Sequence, residues 1–295
     1  MDDEQIGPLI DFEISAVGGS DVVPTAVLVD HLSKLLLARN HETIWALTLD
    51  FLRRFGFLHA VYGYSPDSRG ATLGAPEDYI ILSTLPPAVT HELVADGHYL
   101  QSFTFHKALN DVGVMQWSAT PEQCGLPADT TIQPASAAFF ERCGMLAGCT
   151  IGFPSDRTRG RAVLALVAGP GHDQPSLDAL LERCGEMIFV AAAIANRCII
   201  NLPQIGGTRS LTRRQREVLE WVADGKTSAD IAVIMGITAT TVEKHLRLAR
   251  ETLNVDTTAH ALIKASFLNQ VFTTSYGPQV PISAMPMARR NRTRP

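Results

Sequence analysis

Neither a CxxC pair nor a Cys/His ligand spacing occurs anywhere in the 295 residues; Cys124, Cys143, Cys149, Cys184 and Cys198 are scattered. That excludes a zinc module and a disulfide framework, and leaves core thiols in a reducing compartment as the expectation. A GxSxG elbow, an HExxH helix and a glycine-rich phosphate loop are all missing, so the common hydrolase, metalloprotease and nucleotide-binding classes lose their signatures. His59, His91, His98 and His106 lie near one another but at irregular spacing. No catalytic residue, metal ligand or resident cofactor is assigned. Long apolar runs are also wanting: the longest, Met187 to Ala195, falls far short of the roughly 20 residues of a membrane span. The N-terminal MDDEQIGPLIDFE has neither the basic start nor the apolar core of a signal peptide. Charged residues at 19% against 46% hydrophobic suit an ordinary globular chain, expected in the cytoplasm with no membrane partner. There are no internal repeats.

Charge is present but unevenly placed. From Gly206 onward the chain has 13 Lys+Arg against 7 Asp+Glu, which leaves 12 basic and 23 acidic groups before it. Phosphate would be repelled by the acidic part, so any nucleic-acid contact belongs to the basic part. Residues 1–24 read as a flexible leader and 201–210, NLPQIGGTRS, as a linker. Residues 272–295 form a Pro-rich basic tail, expected to be disordered, with Arg289, Arg290, Arg292 and Arg294 at its end.

Between leader and linker, residues 25–200 read as one domain. Helical spacing runs from Val27 to Leu36, across His41 to Phe55, from Pro86 to Ala95, through 136–143, and from Pro175 to Asn201. Strands are predicted at 58–64, 79–84 and 114–117, with a hairpin at 146–154 and 161–169. The order argues for an α+β domain: an antiparallel sheet of about five strands with helices on its faces.

Residues 211–271 carry the sharpest pattern. Ala232, Gly236 and Val242 stand four and then six residues apart, the spacing of a helix-turn-helix: a small residue for close approach, a left-handed turn, and an apolar anchor. Ile231, Met235, Ile237 and Leu246 fill other inner positions. Capping residues Thr212 with Gln215, Thr227 with Asp230, and Thr238 predict an all-α unit of four helices at about 212–224, 227–235, 238–253 and 256–271. In the third helix Val242, Leu246, Ala249 and Leu253 face inward. Glu243, Lys244 and Arg247 then point to base edges in the major groove, and Lys226, Thr227, Thr240, Thr241 and Arg250 to phosphate. Glu243 has a second reading, an i,i+4 pair with Arg247.

Over Leu211–Ala265 the residues LT, EVL-W, A-GKT, IA, GI, TV--H and the L-V ending at Val255 closely resemble the C-terminal domain of LuxR-type transcriptional regulators. Gln215 departs from that family's usual Glu. The resemblance implies a DNA-binding domain whose last helix contributes to dimerisation. Residues 25–200 resemble the autoinducer-binding domain of the quorum-sensing branch, on FGF (55–57), Trp117 and Gly148 in AGCTIGFP. A phospho-receiver is disfavoured, since no Asp closes a central parallel strand ahead of a later Lys. The expected protein is a transcriptional regulator acting as a homodimer on double-stranded DNA with an inverted-repeat operator, with RNA polymerase a further partner.

Acyl-homoserine-lactone receptors of this family hold their ligand through a Trp, a Tyr and an Asp-Pro pair. Here the window Leu82–Lys107 has no Trp and no Asp-Pro; Tyr99 is its only Tyr, and Phe103-Thr104 falls about where Asp-Pro is expected. Three readings stay open: a lactone held by replacement contacts, another apolar signal, or a self-filled domain that only dimerises. Gly63, Tyr99, Phe103, Trp117, Thr150, Leu164 and Leu166 are the candidate pocket lining. An enzyme on the same scaffold is the reading of another class, and it lacks a nucleophile motif.

Overall fold

The computed structural model describes residues 24–68, 73–74, 78–155, 159–203 and 210–272. The leader and the tail therefore lie outside the described residues, except for Pro24 and Phe272, as do 204–209 of the linker. Two helices open the chain, α1 (Thr25–Leu37) and α2 (His41–Arg53). Then follow β1 (Phe57–Ser65), β2 (Ile80–Ser83), α3 (Pro87–Ala95), a 3-10 turn (His98–Gln101), α4 (Phe103–Ala108) and β3 (Gly113–Gln116). The domain closes with α5 (Pro134–Arg142), β4 (Gly148–Gly152), β5 (Arg161–Ala168) and the long α6 (Gln174–Asn201). The sheet is antiparallel throughout, in the order β2-β1-β5-β4-β3. The α+β expectation holds, with α4 an element that the apolar spacing did not announce. It is six residues long, less than two turns, and its start is fixed by Ser102, whose hydroxyl accepts from the Phe105 amide.

Strand residues alternate between the two sheet faces. Ala60, Tyr62, Tyr64, Cys149, Ile151, Leu164 and Leu166 share one face and pack with Leu177, Leu181, Ile188, Ala191, Ala195 and Ile199 of α6 and with α1 and α2. Each large apolar side chain buried here contributes about 1.5–3 kcal/mol. By length and composition α6 passes for a membrane span; its apolar stripe is instead committed to this core. Tyr62 reaches the helix with a polar tip, its Oη donating to Asn196 Oδ1 at 2.7 Å. That bond satisfies two groups that burial would otherwise leave costly.

The second unit comprises α7 (Arg213–Ala223), α8 (Ser228–Met235), α9 (Ala239–Leu253) and α10 (Thr258–Phe267). All three predicted caps are made. Thr212 and Gln215 form a reciprocal box, as do Thr227 and Asp230, and the Thr238 hydroxyl accepts from the Thr241 amide. The last helix is shorter than 256–271, ending at Phe267 before Asn269 in a left-handed conformation. The Asn269 side-chain amide donates to the Ile200 carbonyl at the end of α6, and Lys264 Nζ pairs with Asp78 at 2.9 Å. These contacts join the helical unit to the sheet domain.

His31 sits in the α1–α2 layer, stacked on Phe51 at 4.3 Å between ring centroids. Its Nε2 meets no hydrogen-bond partner among the described residues. Burial lowers its pKa from 6.5 to about 4, partly opposed by the charge of Asp50. The unfolded chain therefore takes up a proton first as pH falls, so stability is lost from pH 6.5 down towards 4. At pH 5 the expected loss is about 2 kcal/mol. Denaturant unfolding of the wild type and His31→Phe at pH 7 and pH 5 checks this. The variant should be less acid-sensitive by about that amount, and an identical acid slope would refute the assignment.

Candidate functional site

The other face of the sheet is not filled. A cavity of about 390 Å³ lies between it and the layer formed by α3, the 3-10 turn, α4 and α5. Gly63, Tyr99, Phe103, Trp117 and Thr150 all line it. Leu164 and Leu166 do not: both are buried in the core against α6, on the opposite face. Their neighbours Val163 and Ala165 face the cavity instead. The period-two alternation was sound, and the choice of face was wrong. In RAVLALVA both faces are apolar, so the pattern offers no sign of which one borders the space.

Gly63 shows that the space belongs to the design of this face. A Cβ built on it would meet nothing within 4 Å, and its φ is not in the left-handed region. Neither sterics nor turn geometry asks for glycine there, and glycine inside an element costs about 0.5–1 kcal/mol relative to alanine. Gly148 is the contrast: a Cβ would lie 2.2 Å from the Leu166 carbonyl oxygen and 2.8 Å from the Trp117 ring. This glycine makes room for the Trp117 ring against β4, where it forms part of the cavity wall.

The wall carries one polar strip. Trp117 Nε1 donates to Thr150 Oγ1 at 2.9 Å, Thr150 and Thr104 share a hydroxyl hydrogen bond at 2.8 Å, and Ser102 reaches Thr104 at 3.1 Å. Every group in it is neutral. Ser102 and Thr104 were not anticipated as site residues; their signal, a serine capping a six-residue helix, is too short to read. Tyr99 makes an edge contact with Phe105, and burial raises its phenol above the usual range. It therefore stays protonated, an O–H donor. Arg161 is the only charged residue among the described residues that line the cavity.

One group of ligand-type side chains gathers elsewhere among the described residues: Glu92, Asp96 and His98. Two of its members are engaged within the protein. Glu92 pairs with Arg142 at 2.5 Å, and His98 Nδ1 bonds the Ser136 hydroxyl at 2.9 Å while its ring stacks on Phe139. The thiols fit a packing role. Burial raises those of Cys124, Cys149, Cys184 and Cys198, the reverse of what a reactive thiolate needs.

In the helical unit, α8 and α9 are set by Gly236 at φ 65 and by Val242, Ile231, Leu246, Ala249 and Leu253 in the shared core. Ala232 is buried where the helices meet, and Met235 and Ile237 pack partly against the same core. On the open side of α9, Glu243, Lys244, Arg247 and Thr240 are exposed, while Thr241 and Arg250 are half-buried. Glu243 does not pair with Arg247: it accepts from the Ser228 hydroxyl at the start of α8. Arg247 pairs forward with Glu251 at 2.6 Å. Arg250 donates to Thr258 Oγ1 at 2.9 Å, tying α9 to α10, and Thr227 bonds Asp230. Lys226 and Lys244 are exposed beside them.

Comparison with known proteins adds independent findings. The model of bacterial regulatory proteins of the luxR family matches residues 209–265, and the autoinducer-binding domain model matches 40–198. The transcriptional activator AnoR of Acinetobacter nosocomialis is 48% identical over 248 residues, 81% of this chain and 96% of AnoR. The transcriptional activator LuxR of Aliivibrio fischeri is 33% identical over 78 residues, 26% of this chain and 31% of LuxR. A crystal structure of Escherichia coli SdiA aligns over 84% of this chain and 99% of SdiA, with a TM-score of 0.48 and 16% identity. An autoinducer-binding domain across more than half the chain, a LuxR-type helix-turn-helix behind it, and a transcriptional activator matched along nearly its whole length mean that this protein belongs to the LuxR-type transcriptional regulators.

Proposed function

We propose that the protein binds an inverted-repeat operator as a homodimer, and that an elongated small molecule in the sheet-side cavity controls it. The observation that carries the ligand reading is Gly63. A self-filled domain would gain packing from a side chain there, and none is present. The ligand's polar group would lie against Trp117, Thr150, Thr104 and Ser102. An acyl-homoserine lactone would use these neutral donors and acceptors as replacement contacts. The absence of a carboxylate from the described lining favours a different apolar signal, because a ligand amide N–H gains most from a charged acceptor. No metal or resident cofactor is invoked, and no catalysis.

On DNA, α9 would enter the major groove, with Glu243, Lys244 and Arg247 towards base edges. Lys226, Thr227, Thr240, Thr241 and Arg250 would face phosphate. The exposed Arg247–Glu251 pair contributes little to stability, so its arginine is cheaply released to a guanine edge. Ser228 holds Glu243 in one orientation before DNA arrives. The working compartment is the cytoplasm, with RNA polymerase as the downstream partner.

Two measurements test these readings. A thermal-shift panel of acyl-homoserine lactones and other acyl amphiphiles should raise the melting temperature with at least one member, since a ligand at 100 times its Kd adds about 2.7 kcal/mol. Gly63→Leu should keep the fold and lose that shift; no shift with any compound on folded wild type would retire the ligand reading. Arg247→Ala should weaken operator binding by about 1–3 kcal/mol and relax one base position. Equal loss on operator and random DNA, measured by fluorescence anisotropy, would remove Arg247 from base reading.

A further inference from the structure

We propose that the polar corner of the cavity holds a surplus of hydrogen-bond donors, so that the controlling ligand is an apolar chain bearing a ketone or ester carbonyl and no N–H. This deepens the reading that the cavity binds a ligand, and rests on it. The corner is built by the Trp117 indole and the hydroxyls of Thr150, Thr104 and Ser102, all of which line the cavity. Trp117 Nε1 donates to Thr150, Thr150 meets Thr104 at 2.8 Å, and Thr104 meets Ser102 at 3.1 Å. The row ends at Ser102, whose Oγ also accepts from the Phe105 amide. Among the described residues these four side chains make no other hydrogen bond. Four protons therefore enter a row of three bonds, and one hydroxyl proton is left over. Reversing a bond between hydroxyls moves the surplus among Ser102, Thr104 and Thr150 without removing it.

Tyr99 adds a second donor. It lines the same cavity, and its backbone carbonyl accepts from the Ser102 amide, so the two residues share one turn of chain. Its hydroxyl makes no hydrogen bond with a described residue, and burial keeps it protonated. Acceptors are short at this end. No Asp, Glu, Asn, Gln or His is among the described residues lining the cavity, so each polar side chain of the corner has a proton of its own to place. A buried donor without an acceptor is costly. A carbonyl oxygen brings two lone pairs and no proton, and can take both donors at once. A secondary amide brings the same oxygen together with an N–H, for which the corner holds no proton-free side-chain acceptor. The apolar remainder of the ligand would run past Gly63, where the sheet face is open.

Equilibrium dialysis of the full-length protein against 2-undecanone, its isostere 2-methyl-1-undecene and N-methyldecanamide tests this. The alkene puts a methylene in place of the carbonyl oxygen and is the more hydrophobic of the pair, so burial alone would favour it. Wild type should instead bind the ketone about tenfold more tightly than the alkene, and more tightly than the amide. Tyr99→Phe removes one donor and should weaken the ketone about fivefold while leaving the alkene unchanged. Ser102→Asp keeps a helix cap and ends the row in a carboxylate, which takes the surplus proton and offers an acceptor. There the ketone should weaken and the amide should gain; Tyr99→Phe serves if the aspartate variant does not fold. An alkene or amide that binds wild type as tightly as the ketone overturns the proposal while leaving ligand binding intact. So does a ketone preference that Tyr99→Phe, or a folded Ser102→Asp, leaves untouched. If folded wild type binds none of the three compounds and no acyl-lactone, the cavity reading falls and this inference falls with it.

Discussion

Tyr62, Leu164 and Leu166 alternate along their strands with Gly63, Val163 and Ala165, and the rest of the sensor domain depends on that period-two partition. One set of side chains is large and meets α6; the other is small and faces the cavity. Because the same backbone carries both, the sheet is rigid where it borders empty space. The filled face supplies the apolar burial that stabilises the fold. The open face contributes less, and Gly63 makes it weaker still. A domain organised in this way holds a cavity without collapsing into it, since collapse would have to bend strands already fixed from behind by α6.

A different constraint governs the helical unit. Its core is small, and order comes from the ends of its helices. Reciprocal capping at Thr212 and Thr227, the Thr238 cap and the left-handed Gly236 fix where each helix begins and how the second meets the third. The outward polar groups of α9 are organised as well. Ser228 holds Glu243, Glu251 holds Arg247, and Thr258 holds Arg250. The outward face of α9 is thus ordered by contacts within the protein, among them an exposed ion pair that contributes little to stability.

How legible this was in the sequence depended on the range of each determinant. Caps act over three residues, so the helix starts at Arg213, Ser228 and Ala239 followed from the sequence. Strands that alternate or are bounded by turn residues were also visible. Leu164 and Leu166 were misplaced because β5 is apolar on both faces, and only tertiary packing decides which face is roofed. The partner of Glu243 was out of reach for the same reason. An i,i+4 neighbour is readable, whereas Ser228 is fifteen positions away and meets it only after α8 and α9 cross. Thr104 and Arg161 became site residues through the layers stacked around them.

The helical unit is mounted on the sheet domain by polar contacts as well as by the chain. The chain itself, leaving α6, is one point of attachment; Asn269 on the Ile200 carbonyl is a second, and Lys264 on Asp78 a third. Asp78 directly precedes Tyr79, which lines the cavity. Any displacement of the helical unit from the sheet domain strains these two polar fastenings. One of those fastenings is anchored a single residue from the cavity wall.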